Sequence, residues 1–184
     1  IVTSGKSYLD VRQALDDLGL DERDLAELGI RVYKIAMPWP LEPEGVREFA
    51  EGLEEILVVE EKRQVVEYQL KEQLYNWRDD VRPHVVGKFD EKGEWVRPHG
   101  DWLLPALAEL TPAMIARVIA QRIRRLDLNP RAVEKLIHGG WVVESLYTSR
   151  HPFVSVAFRA LASAALVALG LGLGATIMAV LGAF

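Results

Sequence analysis

Two hydrophobic patterns in the middle of the chain predict a buried strand followed by an amphipathic helix. Residues 56–59 (ILVV) form an uninterrupted apolar run, which is typical of a central parallel strand covered on both faces. Residues 62–76 are predicted to be a helix because apolar side chains recur at helical spacing along one face. That face carries Val66, Leu70, Leu74 and Trp77. On another face Glu67 lies four residues before Lys71, which predicts an ion pair.

The rest of the first two thirds of the chain also alternates between strand and helix patterns. Short β-branched runs predict strands at residues 1–3, 30–36 and 85–86. Apolar periodicity with Gly or Pro at the ends predicts helices at residues 8–18, 21–28 and 44–52, and one that begins at Thr111-Pro112. This order predicts an α/β domain over residues 1–125, with three αβα layers and a mostly parallel, flavodoxin-like sheet.

The last third of the chain has a different character. Asn129-Pro130 marks a break, and residues 126–159 are expected to be a helical connector. Residues 160–184 carry no charge, and as a helix they would extend about 37 Å, more than a ~30 Å hydrocarbon core requires. They are therefore a candidate transmembrane helix. Arg150, His151 and Arg159 on its N-terminal side predict a cytoplasmic domain attached to the cytoplasmic side of a membrane.

Composition narrows the chemistry that the chain can support. The 184 residues include no Cys, which excludes thiolate metal sites, cysteine-held iron–sulfur clusters, disulfides and a Cys nucleophile. The net charge of −5 without a basic stripe argues against nucleic acid as a partner. Because the chain begins with Ile1 and shows no N-terminal signal peptide, we expect a processed product or a piece of a longer protein.

Gly5-Lys6-Ser7 matches the end of a phosphate-binding P-loop, GxxxxGK[ST], and residues 56–60 resemble the acidic strand that accompanies it. In a P-loop, however, residues 1–3 would be loop, whereas their β-branched side chains favour a strand. The alternative is a strand–turn–helix joint in which the glycine permits a tight turn.

Glu60-Glu61-Lys62-Arg63 lies at the carboxyl end of the apolar strand, where open α/β sheets place functional groups. The two carboxylates are candidate acid/base residues, and the alternative is a solvated strand end with a helix cap. The histidines neither suggest a triad nor have metal-ligand spacing. They are His84, His99, His138 and His151.

Trp39 lies between two prolines, so its ring is presented with little conformational freedom to lose on binding. We therefore interpret Trp39 as an interface residue. Trp77, Trp95 and Trp102 would either join it in an aromatic recognition surface or pack in the core.

Several segments of residues 1–125 resemble a known family in the same order. Residues 30–63 resemble the C-terminal domain of transketolase-like, thiamine-diphosphate-dependent enzymes. More closely, the segments are similar to the internal transketolase-C-like domain of indolepyruvate ferredoxin oxidoreductases, in the 2-oxoacid:ferredoxin oxidoreductase family. The segments are IVTSGKSYLDVRQALDDLGL (1–20), MPWPLEP (37–43), LVVEEKRQVVEYQLKEQLY (57–75) and RPHVVGKFDEKG (82–93).

The resemblance implies a parent enzyme that decarboxylates a 2-oxoacid on thiamine diphosphate and passes electrons through iron–sulfur clusters to ferredoxin. This chain lacks the GDG…N pattern that holds Mg²⁺-diphosphate, and it lacks cysteines. The resemblance therefore implies no catalytic, cofactor-binding or metal-binding residue here. It implies a module that packs against the cofactor-binding domains or other subunits.

Three functional hypotheses follow from the sequence. The first is a domain of an indolepyruvate oxidoreductase that is inactive alone. The second is a membrane-tethered scaffold or binding module that keeps the fold without the chemistry. The third, a fragment of a P-loop nucleotide hydrolase, has the weakest support.

Overall fold

The structure, a computed structural model, describes residues 1–98, 100–107 and 109–128. All of them belong to one compact unit, which runs from Ile1 to Val143; a second unit, Glu144–Phe184, lies outside the described residues. The predicted connector therefore falls outside the description except for residues 126–128. The predicted hydrophobic helix at residues 160–184 lies outside it entirely.

The described chain folds as the α/β domain that the sequence predicts. Four parallel strands form a sheet in the order β2-β1-β3-β4. In chain order the elements are β1 (Val2–Ser4), α1 (Lys6–Asp17), α2 (Glu22–Glu27), β2 (Tyr33–Ile35), α3 (Pro43–Ala50), β3 (Glu55–Val59), α4 (Val65–Leu74), β4 (His84–Val86) and α5 (Pro112–Arg125).

Helices cover both faces of the sheet, which gives the three layers. On one face, α1 and α5 pack their apolar side chains against Leu57 and Val59. On the other face, α3 and α4 pack against Ile56 and Val58. Since these four residues of β3 alternate between the two cores, the uninterrupted apolar run at 56–59 is confirmed as a central, doubly covered strand.

A buried ion pair fixes the long helix α5 to the central strand. Arg122 Nε donates to Glu55 Oε1 at 2.8 Å, and Arg122 Nη2 binds the other carboxylate oxygen of Glu55. Both side chains are almost fully buried, so the two-point geometry orients the end of α5 on the amino edge of the sheet. Thr111 caps the other end of α5 through the N–H of Met114, as the sequence predicts.

Two predicted elements are shorter than expected by four or more residues. The strand predicted at residues 30–36 is confined to Tyr33–Ile35, because the N–H of Ile30 closes the preceding helix on the Leu25 carbonyl and only three residues pair with β1. The helix predicted at residues 62–76 runs from Val65 to Leu74. Its start is delayed because Lys62 has a positive φ of 57°, which interrupts helical geometry.

Within the described ranges, no helix is long and apolar enough to cross a membrane.

Candidate functional site

The carboxyl edge of the sheet brings the two sequence-predicted charged motifs together. The strand order places β3 beside β1, and the chain turns to opposite sides after these two strands, which is where open α/β folds form ligand crevices. Gly5-Lys6-Ser7 follows β1 and Glu60-Glu61 follows β3. Lys6 Nζ lies 3.5 Å from Glu61 Oε1, 55 residues later in the chain.

Lys6 has a half-exposed side chain whose ammonium is paired with three carboxylates. Its ammonium lies 2.9 Å from Asp10 Oδ2 and 3.1 Å from Glu109 Oε1, in addition to Glu61. Hydrogen bonds to Asp10 and Glu109 raise the pKa of Lys6. Because residues 2–4 are a strand that leads directly into Gly5 at φ 52°, the strand–turn–helix alternative fits and the P-loop interpretation does not.

Glu60 is buried and serves as the cap of α4. Its carboxylate accepts main-chain N–H groups from Val65, Val66 and Glu67 at 2.9–3.0 Å. Burial raises the pKa of the Glu60 carboxyl, and these three donors act in the opposite direction. The interpretation of Glu60 as a helix cap therefore applies, and the acid/base interpretation does not describe its contacts. Its environment is buried, whereas the sequence predicted a solvated strand end.

The other three residues of the Glu60-Glu61-Lys62-Arg63 motif do not share the buried environment of Glu60. Glu61 is half-buried against Lys6, whereas Lys62 and Arg63 are exposed. The motif therefore does not present its two carboxylates as one acid/base pair.

Lys88 is buried at the centre of the carboxyl edge, and no pattern in the sequence marks it as a site residue. Its side chain is only 1% exposed. Lys88 Nζ donates to the main-chain carbonyl of Glu60 at 2.5 Å and to that of Pro105 at 3.1 Å. Burial lowers the pKa of the Lys88 ammonium, an effect that the carboxylates of Glu60, Glu67 and Glu61 partly offset.

Glu67 completes this centre from α4. Its carboxylate accepts the main-chain N–H of Lys88 at 3.0 Å and binds Lys71 Nζ at 2.5 Å. The sequence predicts the Glu67–Lys71 pair from its four-residue spacing, but not that Glu67 is buried. A Cβ at Gly87 would lie 2.8 Å from Glu67 Cδ and 3.2 Å from the Val58 carbonyl, so only glycine fits there.

Two glutamines of α4, chiefly the buried Gln69, hold the turn that carries Trp39; Gln73 Nε2 donates to the Leu41 carbonyl at 3.1 Å. Gln69 Oε1 accepts the N–H of Leu41 at 2.7 Å, while Gln69 Nε2 donates to the Pro38 carbonyl at 2.7 Å. Trp39 itself is 70% exposed, and its neighbour Met37 is also exposed. The turn is therefore held by its backbone while its large apolar side chains face outward.

The other aromatic candidates divide between the two alternatives. Trp77 packs against the core beneath α3 and α4. Trp102 lies on Phe89 with ring centroids 4.3 Å apart, and Trp95 is exposed. Trp77 therefore follows the core alternative, whereas Trp39, Trp95 and Trp102 are exposed.

The buried charged groups of the carboxyl edge bind one another, helix N–H groups and main-chain carbonyls. Among the residues that the structure describes, no group of three or more His, Asp or Glu side chains could hold a metal ion. His84 is exposed, and His99, His138 and His151 lie outside the described residues.

Comparison with known proteins gives a consistent family. The sequence model of the indolepyruvate ferredoxin oxidoreductase middle domain matches residues 1–146. Indolepyruvate oxidoreductase subunit IorA of Pyrococcus abyssi is 36% identical over 122 residues, which make up 66% of this chain and 15% of that subunit. The same subunits of Thermococcus kodakarensis and Pyrococcus horikoshii are 30% and 32% identical, again over 66% of this chain and 15% of theirs.

The match thus spans about 15% of the length of these curated relatives. No solved structure matches the chain significantly.

Proposed function

The chain belongs to the indolepyruvate ferredoxin oxidoreductase middle-domain family, and from this premise we propose that it is a non-catalytic interface module of such an oxidoreductase subunit. The parent enzyme would oxidise a 2-oxoacid of the indolepyruvate type and reduce ferredoxin. The module would pack against the other domains of its subunit or against a partner subunit, on the cytoplasmic side of the membrane.

The observation that carries this proposal is the fixed turn at residues 37–41. Gln69 uses both ends of its amide to hold the backbone of the turn, so the loop that presents the exposed Trp39 is already formed before any partner arrives. Preorganised, exposed aromatic side chains are the residues that most often dominate binding at protein interfaces. This supports an interface on the carboxyl edge of the sheet.

The donor set of this chain does not fit the cofactors that the family implies. An iron–sulfur cluster needs thiolate ligands, and the chain has no Cys. The GDG…N pattern for Mg²⁺-thiamine diphosphate is also missing from the sequence. We therefore assign thiamine diphosphate, Mg²⁺ and the clusters to other parts of the parent enzyme, and we assign no catalytic or cofactor-binding residue to this chain.

The test uses the complete subunit that contains this chain, assembled with its partner. Trp39→Ala should reduce indolepyruvate-dependent reduction of a viologen dye by about tenfold or more, because truncation of a central aromatic anchor weakens assembly. Tyr75→Ala is the matched control, since Tyr75 is as exposed as Trp39 but lies at the C-cap of α4, outside the turn at residues 37–41. Unchanged activity and unchanged assembly on gel filtration for Trp39→Ala would refute the proposal.

A membrane-tethered scaffold is the second candidate function. It is favoured by one observation, the 25 uncharged residues at 160–184. In that case the same interface would recruit a partner to a bilayer rather than complete an enzyme. Indolepyruvate oxidation by a complex that contains this chain would favour the first candidate.

A further inference from the structure

The loop after β4 presents a second exposed aromatic side chain. Trp95 is 83% exposed, and its neighbour Val96 is also exposed. Glu94, the residue before them, accepts a hydrogen bond from the hydroxyl of Tyr68 on α4 at 2.9 Å. The loop is therefore attached to α4 immediately beside Trp95.

Helix α4 holds both aromatic loops through consecutive residues. Tyr68 binds the loop after β4, and Gln69 binds the turn at residues 37–41. Consecutive side chains of a helix point about 100° apart, so the two loops lie on neighbouring sides of α4. Val65 precedes Tyr68 by three residues and Gln69 by four, which places it on the helix face between them. The exposed side chain of Val65 therefore lies between the two loops.

The exposed apolar side chains of this region together form what we name the two-loop surface: Met37, Trp39, Val65, Trp95 and Val96. A tryptophan buries about 150–250 Å² when it is covered. Two of them would supply roughly half of the ~800 Å² that each partner contributes to a stable protein interface. The two-loop surface is therefore large enough to form the centre of such an interface.

The free charges beside the two-loop surface are positive, although the whole chain has a net charge of −5. Lys62 and Arg63 lie just before α4 and are exposed, and neither forms an ion pair within the described part of the chain. Burial and the hydrogen bond to Glu94 raise the pKa of Tyr68, and the charge of Arg63 opposes them. Arg63 therefore lies near the Tyr68 hydroxyl that holds the loop of Trp95.

The neighbouring carboxylates already have partners within the domain. Glu60 accepts the N–H groups at the start of α4, and Glu61 binds the ammonium of Lys6. Glu94 accepts the hydroxyl of Tyr68. Because these acidic groups are engaged, the two free cations are best complemented by carboxylates of a partner.

We propose that the two-loop surface binds an acidic surface of the partner subunit of the parent oxidoreductase, with Trp39 and Trp95 as paired anchors and with Lys62 and Arg63 facing its carboxylates. This inference rests on the proposed function, because it names the chemistry of the partner that the interface module would bind. The curated relatives are themselves subunits, and this chain matches about 15% of their length, so such an enzyme has other protein surfaces to supply that partner.

Calorimetric titration of the complete subunit with its purified partner subunit tests the aromatic part. Trp95→Ala should raise the dissociation constant by about tenfold or more, as expected for an aromatic anchor. Tyr75→Ala, at an exposed aromatic residue outside the two-loop surface, is the matched control and should change it less than about twofold. An unchanged dissociation constant for Trp95→Ala would overturn the inference. In that event a weakened assembly of Trp39→Ala would leave the proposed function standing, whereas unchanged assembly of both variants would overturn the proposed function as well.

Stopped-flow association at several salt concentrations tests the charged part. Arg63→Glu should lower the association rate constant by about threefold or more at low salt, and the loss should shrink as salt screens the charges. Arg23→Glu changes an exposed arginine on α2 by the same charge and is the matched control. Equal rate constants for the two charge variants would show that the partner surface is not acidic.

Other occupants of the two-loop surface give distinct outcomes, and each overturns the inference. A lower melting temperature of the Trp95→Ala subunit alone, without weaker binding of the partner, would assign the surface to another domain of the same subunit. Loss of self-association would assign it to a second copy. Loss of cosedimentation with phosphatidylglycerol vesicles would assign it to an anionic membrane.

Discussion

The buried ammonium of Lys88 donates a hydrogen bond to the main-chain carbonyl of Glu60, so that the ends of β3 and β4 are joined by a side chain rather than by the strand ladder alone. The same ammonium binds the Pro105 carbonyl, and the Lys88 carbonyl accepts the N–H of Leu103 at 2.8 Å. Lys88 therefore also fixes the long loop that leads to α5.

Lys88→Met should reduce the free energy of unfolding by about 2–4 kcal/mol at pH 7, because two buried carbonyls lose a charged donor. The folded-state pKa of Lys88 is lowered, so the unfolded chain binds more protons above that pKa and the lysine's contribution rises with pH. The difference between wild type and variant should therefore widen as the pH rises toward about 10.4, where the unfolded lysine titrates.

Urea unfolding at several pH values measures this difference. Lys92→Met is the matched control, because Lys92 is exposed in the same loop region and should give a small, flat difference. If the difference in unfolding free energy between wild type and Lys88→Met does not change with pH, burial does not lower the pKa of Lys88.

Gly87→Ala should destabilise the domain by about 2 kcal/mol or more, since a Cβ would overlap the Glu67 carboxylate. Removal of that carboxylate relieves part of the overlap. The double variant Glu67→Ala/Gly87→Ala should therefore lose less unfolding free energy than the sum of the two single-variant losses, by at least ~1 kcal/mol. Strict additivity in denaturant unfolding would mean that the two residues do not compete for space.

Val58 should be among the slowest residues in amide hydrogen exchange, because β3 is paired on both sides and buried on both faces. Val58→Asp should abolish cooperative unfolding, since it places an unpaired charge in the core. Val81→Asp, at a half-exposed position, is the control and should fold. Rapid exchange at Val58 would be incompatible with its central position.

The isolated chain should show no indolepyruvate oxidation when thiamine diphosphate, Mg²⁺ and a viologen acceptor are added. The physical reason is that it has neither thiolates for a cluster nor the diphosphate-binding pattern. Substantial dye reduction by the purified chain, above a heat-denatured control, would show that this chain carries catalytic residues of its own.

The tail at residues 160–184 should make the full chain partition into membranes or aggregate, because 25 uncharged residues have no polar face to expose. Removal of these residues should leave the domain in the supernatant after high-speed sedimentation. A full-length chain that is monomeric without detergent would show that the tail is buried against protein.

The elements that the sequence predicts best are those whose signals are local. The apolar run at 56–59 predicts a buried strand by itself. Thr111-Pro112 predicts the start of α5 by itself, because Thr is preferred at the N-cap and Pro at the first helical position. The four-residue spacing of Glu67 and Lys71 likewise predicts their ion pair. Such features depend on residues within one or two turns.

The features that the sequence did not reveal depend on contacts distant along the chain. The acceptors of Lys88 lie 28 and 17 residues away, and Glu67 receives its N–H from 21 residues away. In the sequence, a lysine that follows a short strand is typical of an exposed loop residue. It becomes buried only because the fold brings three distant segments of the chain around it. Its one local signal was the preceding Gly87 at the carboxyl end of a strand.

The two outer strands of the sheet have a consequence for behaviour at high concentration. β2 and β4 are each three residues long, Pro83 directly precedes β4, and Pro38 follows shortly after β2. A strand from a second molecule would find only a few main-chain groups in register before a proline ended the pairing. The outer edges of this small sheet are thus poor templates for β-sheet aggregation, so a concentrated preparation of the domain should not polymerise through them.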